Sequence, residues 1–284
     1  MNRSPLIETP FCIFNASGDT IRGDLRHAPG TAAAPVLLVC HGFTAHKDWG
    51  PFPYIGRRLA GLGFVTVVFN FSHNGIGSSF RRFTEAEKFA RNTVGKELED
   101  ARAVIDAVAS GRLAAGTADP SRIGIIGHSR GAGVALLAAR DDARIRGVAA
   151  WSTVATFHRY TAHQKETWEQ QGYLPVTIRG ARTSLRFDLP VLRDLEANRE
   201  AYDLRKAVRE LRVPLLLVHG TADVAVKPAE AEELYGASDR SRSELLLLEG
   251  AGHAFGATHP FHVHNPTIAQ VIDHTARWFQ RILT

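Results

Sequence analysis

The chain has 284 residues, 44% hydrophobic and 22% charged, which is the balance of a globular protein with a large core and a length that one α/β domain with an insertion commonly fills. No apolar run approaches the ~18 residues of a membrane span, Met1 to Pro10 contains no apolar core of signal-peptide length, and two cysteines, Cys12 and Cys40, are too few to staple a secreted scaffold, so a cytoplasmic chain with buried thiols and no membrane contact is expected. The net charge of +5 rests on 28 arginines and six lysines with acids interspersed, and without a basic block or zinc spacing it argues against a nucleic-acid partner.

In chain order, 11–16 and 20–26 read as two strands of a hairpin around Ser17-Gly18-Asp19. Residues 34–40, a continuous apolar run, read as a strand covered on both faces that stops at His41-Gly42-Phe43-Thr44. A helix over 51–62, a buried strand over 64–71, and a loop punctuated by Gly75, Gly77, Ser78 and Ser79 follow. Val94, Leu98, Ala101, Val104, Ile105 and Val108 recur at helical spacing, and Arg122-Ile-Gly-Ile-Ile reads as the next strand.

That strand runs into Gly127-His128-Ser129-Arg130-Gly131, and a small-residue helix pattern follows. This is the G-x-S-x-G elbow in its required setting: a serine on an abrupt strand-to-helix turn needs flanking residues without bulk, and its hydroxyl then projects at the positive end of the new helix. After a sixth strand over 145–151, the span 153–212 is too long for a simple crossover and is expected to be a cap inserted over the active edge of the sheet. A strand over 213–219, a helix over 228–235, a strand over 243–249 and an amphipathic helix over 266–283 complete the chain. The fold class is α/β, a mostly parallel central sheet flanked by helices, with a core of 1–152 and 213–284.

A nucleophilic serine needs a base, and the base needs an orienting acid. Behind this elbow both should follow in the order acid, histidine, each after a late strand. Asp223 stands just past the strand over 213–219, and His253 lies among glycines past the last strand, in Gly250-Ala-Gly-His253. Backbone donors for a developing oxyanion are expected from the amides of Arg130 and Phe43, with Thr44 as the alternative to Phe43. His41 reads as structural, since a second base beside that loop would have no proton to remove.

The motifs His41-Gly42-Phe43-Thr44, Phe69-Asn-Phe71, Gly127–Gly131, Gly220-Thr-Ala-Asp223 and Gly250-Ala-Gly-His253 together resemble the α/β-hydrolases. More narrowly, they resemble the dienelactone-hydrolase and prolyl-oligopeptidase-like group that includes bacterial cinnamoyl and feruloyl esterases. Two departures stand out: dienelactone hydrolases proper carry a cysteine where this chain has Ser129, and prolyl oligopeptidases carry a large N-terminal domain that this chain has no room for. The resemblance implies a cofactor-independent serine hydrolase acting on a small carboxylic ester. The same triad also serves amidases and peptidases, and the fold also serves non-catalytic binding modules.

Within the inserted span, Trp168 and Tyr173 are the expected substrate-binding residues, and Leu174 and Phe187 add apolar surface. Arg179, Arg182 and Arg186 read as solvated rather than as an anion site. His46, Lys47, Asp48 and Trp49 are placed near the pocket. His259, His262 and His264 have a metal-like spacing with no carboxylate among them, and no metal is expected. Oligomeric state is open, a homodimer included.

Overall fold

In a computed structural model, residues 5–78, 83–177 and 185–283 are described. The chain opens with β1 (Ile7–Phe14) and β2 (Thr20–His27), an antiparallel pair in which Phe14 faces Thr20. The turn between them needs Gly18 at φ +80° and is closed by the Asp19 amide donating to Asn15 Oδ1 at 2.8 Å. Then come β3 (Ala34–Cys40), α1 (Phe52–Ala60), β4 (Val65–Phe69), a short α2 (Ala86–Ala90), α3 (Val94–Ala109), β5 (Ala118–His128), α4 (Arg130–Asp141) and β6 (Ile145–Trp151). The rest of the sheet is supplied by β9 (Leu215–Gly220) and β10 (Ser243–Leu248), which are followed by α8 (Pro228–Ala237) and α9 (Pro266–Ile282) respectively.

The eight strands lie in the order β1-β2-β4-β3-β5-β6-β9-β10. Only the first two pairings are antiparallel; the remaining strands are parallel. Strands β3, β4 and β9 are buried almost throughout, as their unbroken Val and Leu runs require when helices cover both faces. One face packs against α3 and α4 through Val94, Ala101, Val104, Leu136 and Leu137. The other packs against α1 and α9 through Phe52, Ile55, Leu59, Val271, Ile272 and Phe279.

Between β6 and β9 lie α5 (Ala162–Gln171), β7 (Tyr173–Val176), β8 (Leu185–Asp188), α6 (Leu189–Ala197) and α7 (Leu204–Glu210). The span expected to be one cap divides in two. Strands β7 and β8 form their own antiparallel hairpin, and with α5 and α6 they enclose a separate small core of Trp168, Leu174, Leu185, Phe187, Val191 and Leu192. Helix α7 instead contributes Leu204, Ala207 and Val208 to the main core, acting as the crossover helix that a parallel β6-to-β9 connection demands. Ser79, Arg179 and Arg182 lie outside the described residues. Arg186 pairs with Asp188 at 2.8 Å and lies over the Tyr173 ring.

The cysteines divide too. Cys40 is buried in β3, where desolvation pushes its thiol far above the ordinary range, but Cys12 is exposed, correcting the expectation for it. It sits on β1, an edge strand exposed over most of its length.

Asp100 of α3 is fully buried and ties three segments together, accepting from Asn15 Nδ2 at 2.8 Å and from the Ser72 amide at 2.7 Å. Burial outweighs those bonds and pushes its carboxyl up to about 7. An acid whose folded pKa exceeds its unfolded value of about 4 holds its proton more tightly when folded, so its contribution to stability is complete below that lower value and is lost as pH rises toward 7. Asp100→Asn, which cannot ionise, is therefore expected to flatten the fall of Tm between pH 4.5 and 7.5. Parallel Tm profiles of variant and wild type would contradict this.

Candidate active site

The elbow forms where β5 ends and α4 begins. Ser129 has φ 57° and ψ −122°, a left-handed backbone that a non-glycine residue adopts only when its surroundings impose it. Its amide donates to the Trp151 carbonyl at 2.8 Å, tying the turn to the neighbouring strand. A side chain at Gly131 would run into the carbonyl of His41, and one at Gly127 into Gly131 and Ala132, so both flanking glycines are required by the close approach of backbone.

Ser129, His253 and Asp223 come together in one chain of hydrogen bonds. The Ser129 hydroxyl lies 3.0 Å from His253 Nε2, and His253 Nδ1 lies 2.7 Å from Asp223 Oδ2. The loop after β9 holds Asp223 by its other oxygen: Oδ1 accepts from the amides of Ala225 and Val226 at 2.9 and 3.0 Å, leaving Oδ2 for the imidazole. The Asp223 side chain is fully buried while 28% of the His253 side chain remains exposed, so the carboxylate is fixed and dry and the imidazole faces the pocket.

Three supporting residues escaped the sequence reading. His128 Nε2 donates to the His253 carbonyl at 2.9 Å, and Ser152 Oγ donates to the same oxygen at 2.8 Å, pinning the backbone that carries the imidazole. Burial, with the nearby His253 ring second, lowers His128 to about 4, so it remains a neutral donor at working pH. His219, near the end of β9, donates to the Val226 carbonyl at 3.0 Å and places the same Nε2 3.2 Å from Asp223 Oδ2. Nothing in a linear motif marks these positions. Only the four-residue offset of His219 from Asp223 hinted at proximity.

The loop after β3 lies directly against the elbow, since a side chain on Gly42 would come within 3.2 Å of Ser129 Cβ. His41 anchors that loop. Burial drives its pKa down to about 3, so the neutral ring donates from Nδ1 to the Gly42 carbonyl at 2.9 Å and accepts the Phe71 amide at Nε2 at 3.2 Å. Beyond it, Thr44 takes φ 59° and Phe43 is partly exposed at the pocket.

A cavity of about 260 Å³ opens on Ser129 and His253, with Phe43, Val154, Phe157, Tyr160, Ala225 and Val226 as its apolar wall. Trp168 and Tyr173 are not part of it. Trp168 is fully buried in the small core, stacked at 6.0 Å on Phe187 and edge-on to Tyr160, and Tyr173 points outward beneath Arg186. The wall comes instead from the stretch that leaves β6, ahead of α5, because that stretch must pass the carboxyl end of the sheet before any inserted element can begin.

His46, Lys47, Asp48 and Trp49, which follow the loop after β3, do not line this cavity either. Lys47 Nζ bridges Asp24 and Asp48 at 2.9 Å each, and Trp49 stacks on His259, whose Nδ1 accepts the Gly50 amide. No group of three metal-ligating side chains occurs among the described residues, and no helix among them is long and apolar enough to cross a membrane.

Residues 56–284 match the model of the prolyl oligopeptidase family. No curated protein matches significantly. Among solved structures, the chain resembles the esterase domain of a Rhodothermus marinus protein (20% identity, TM-score 0.67, covering 99% of this chain and 100% of that one). It also resembles the alpha/beta hydrolase GrgF from Penicillium sp. sh18 (17%, 0.74, 99% and 99%) and Est1E from Butyrivibrio proteoclasticus (17%, 0.65, 96% and 99%). At these identities the structures establish the common fold, a mostly parallel eight-stranded sheet flanked by helices.

Proposed function

The chain belongs to the prolyl oligopeptidase family, and we propose that it is a serine esterase that cleaves a small carboxylic ester through an acyl-enzyme on Ser129. The observation that carries this reading is the hydrogen-bonded sequence Ser129–His253–Asp223 opening on a cavity of about 260 Å³. His253 Nε2 takes the hydroxyl proton as Ser129 Oγ attacks the ester carbonyl carbon. Asp223 accepts from Nδ1, holding the tautomer that leaves Nε2 free and stabilising the imidazolium. The oxyanion receives the amides of Arg130, at the positive end of α4, and Phe43. His253 then protonates the departing alcohol, the acyl-enzyme forms, and a water deprotonated by His253 repeats the attack to release the acid. The sequence of steps calls on no metal or cofactor.

The cavity favours a small ester over a peptide, since its volume of about 260 Å³ falls just below the ~300–1,000 Å³ that small-molecule sites occupy. The family's name keeps the amide reading in view. Comparing the purified protein on p-nitrophenyl butyrate and on alanyl and prolyl p-nitroanilides separates the two. The ester is expected to be turned over with kcat/KM at least about 100-fold above either anilide, a gap of roughly 2.7 kcal/mol in barrier; a prolyl anilide turned over as fast as the ester would overturn the esterase reading.

A further inference from the structure

The loop after β3 is anchored on either side of Phe43. His41 fixes its start through both ring nitrogens, the Ala45 amide donates to the Gly42 carbonyl at 3.2 Å, and the Lys47 amide donates to Asn70 Oδ1 at 2.6 Å. At Phe43 itself the backbone is unheld. Among the described residues its amide has no hydrogen-bond acceptor, which leaves that donor available to a developing oxyanion but leaves nothing polar to aim it.

What holds the residue is its ring. The ring centre of Phe43 lies 5.9 Å from that of Phe89 on α2 and 5.5 Å from that of Phe187 on β8, and those two rings stack on each other at 5.2 Å and 5°. Phe89 and Phe187 are each 1% exposed and Phe43 is 39% exposed, so a fixed aromatic pair supports a ring that would otherwise be loose at the cavity. Phe187 in turn stacks on Trp168, which meets Tyr160 of the cavity wall edge-on at 5.2 Å. The small core around Trp168 thus reaches the cavity at Phe43 and at Tyr160. Of the two, Phe43 carries an amide assigned to the reaction. An amide that drifts by about 1 Å loses its aim, at a cost on the order of 100-fold in rate, and the loss is felt only once charge develops on the carbonyl oxygen.

We propose that Phe187, together with Phe89, is a positioning residue: by clamping the Phe43 ring it keeps the Phe43 amide aimed at the oxyanion, so that the small core acts on turnover. The proposal rests on the reading of Ser129 as the nucleophile and of Phe43 as an oxyanion donor.

Phe187→Leu keeps an apolar side chain but removes the ring. It is expected to lower kcat on p-nitrophenyl butyrate by about 10- to 100-fold, with KM within about twofold of wild type. Two inhibitors separate aim from fit. Trifluoromethyl butyl ketone is attacked by Ser129 Oγ, whose proton passes to His253 while the former carbonyl oxygen becomes the oxyanion; the corresponding alcohol cannot be attacked. Binding of the ketone should weaken by the same factor as kcat/KM, and binding of the alcohol should not change. Phe43→Leu retains the amide and loses the ring at a partly exposed position, so it should show the same fall in kcat. Phe43→Leu/Phe187→Leu should lie within about twofold of Phe43→Leu alone, because both changes remove one contact. Leu192→Ala cuts the same core without removing a ring; it should lower Tm and leave kcat within about threefold of wild type.

An unchanged kcat in Phe187→Leu, a loss shared equally by Leu192→Ala, losses that multiply in the double variant, or a loss that falls in KM and in alcohol binding would each overturn the proposal. Should Phe187→Leu not fold, Phe43→Leu decides with the two inhibitors, and unchanged ketone binding overturns the clamp. If these results fail while wild-type Ser129 reacts with a fluorophosphonate, the clamp falls and the nucleophile stands. If Ser129 does not react either, the underlying reading falls with it.

Discussion

Ser129→Ala is expected to lower kcat on p-nitrophenyl butyrate by about 10⁶-fold, the loss seen when the nucleophile of an interdependent triad is removed, with Tm and circular dichroism unchanged. The magnitude follows from what remains. With the hydroxyl gone, His253 has no proton to take, and the proposed oxyanion donors, the amides of Arg130 and Phe43, could only assist attack by water. The fold should survive because the backbone of the elbow is dictated by its neighbours. The 129 amide still donates to the Trp151 carbonyl, Gly127 and Gly131 still admit the close approach of strand and helix, and alanine adds no atom to the turn. A loss of less than about tenfold would place the nucleophile elsewhere.

The second large effect is expected at the acid, where the geometry predicts the direction of failure. In Asp223→Asn the side-chain oxygen is retained where the amides of Ala225 and Val226 donate, because an NH₂ group there would oppose two donors. The NH₂ must then face His253 Nδ1 in place of the carboxylate oxygen now 2.7 Å away. That forces Nδ1 to accept and puts the imidazole proton on Nε2, the atom that should receive the serine proton. A loss of about 10⁴ in kcat follows, with KM little changed. His253→Ala should approach the loss of Ser129→Ala. An Asp223→Asn enzyme of near wild-type rate would show that another acid orients the base.

The alternation of buried strands and amphipathic helices was legible in the sequence because the central parallel strands are apolar on both faces and helices such as α1, α3 and α9 on only one. The elbow was legible because its glycines answer a local constraint, the clash that any side chain would make at Gly127 or Gly131. The order of acid and histidine followed from the loops after β9 and β10. What the linear pattern did not carry was anything set by long-range packing. Trp168 and Tyr173 have the composition of a binding wall, but one is the centre of a small separate core and the other faces outward. Helix α7 reads as part of an insertion until its apolar face is seen against α4 and α8. His128 and Ser152 each bond the His253 carbonyl, and His219 reaches both the Val226 carbonyl and Asp223; such contacts leave no periodicity behind.

The central claim is that Ser129 becomes covalently acylated, and a fluorophosphonate tests it most directly by stopping at the analogous adduct. Intact mass and peptide mapping of wild type after treatment should show one phosphonyl group, carried by the peptide containing Ser129 and absent from Ser129→Ala. A protein that hydrolyses the ester yet carries no adduct, or carries it on a residue other than Ser129, would contradict the account.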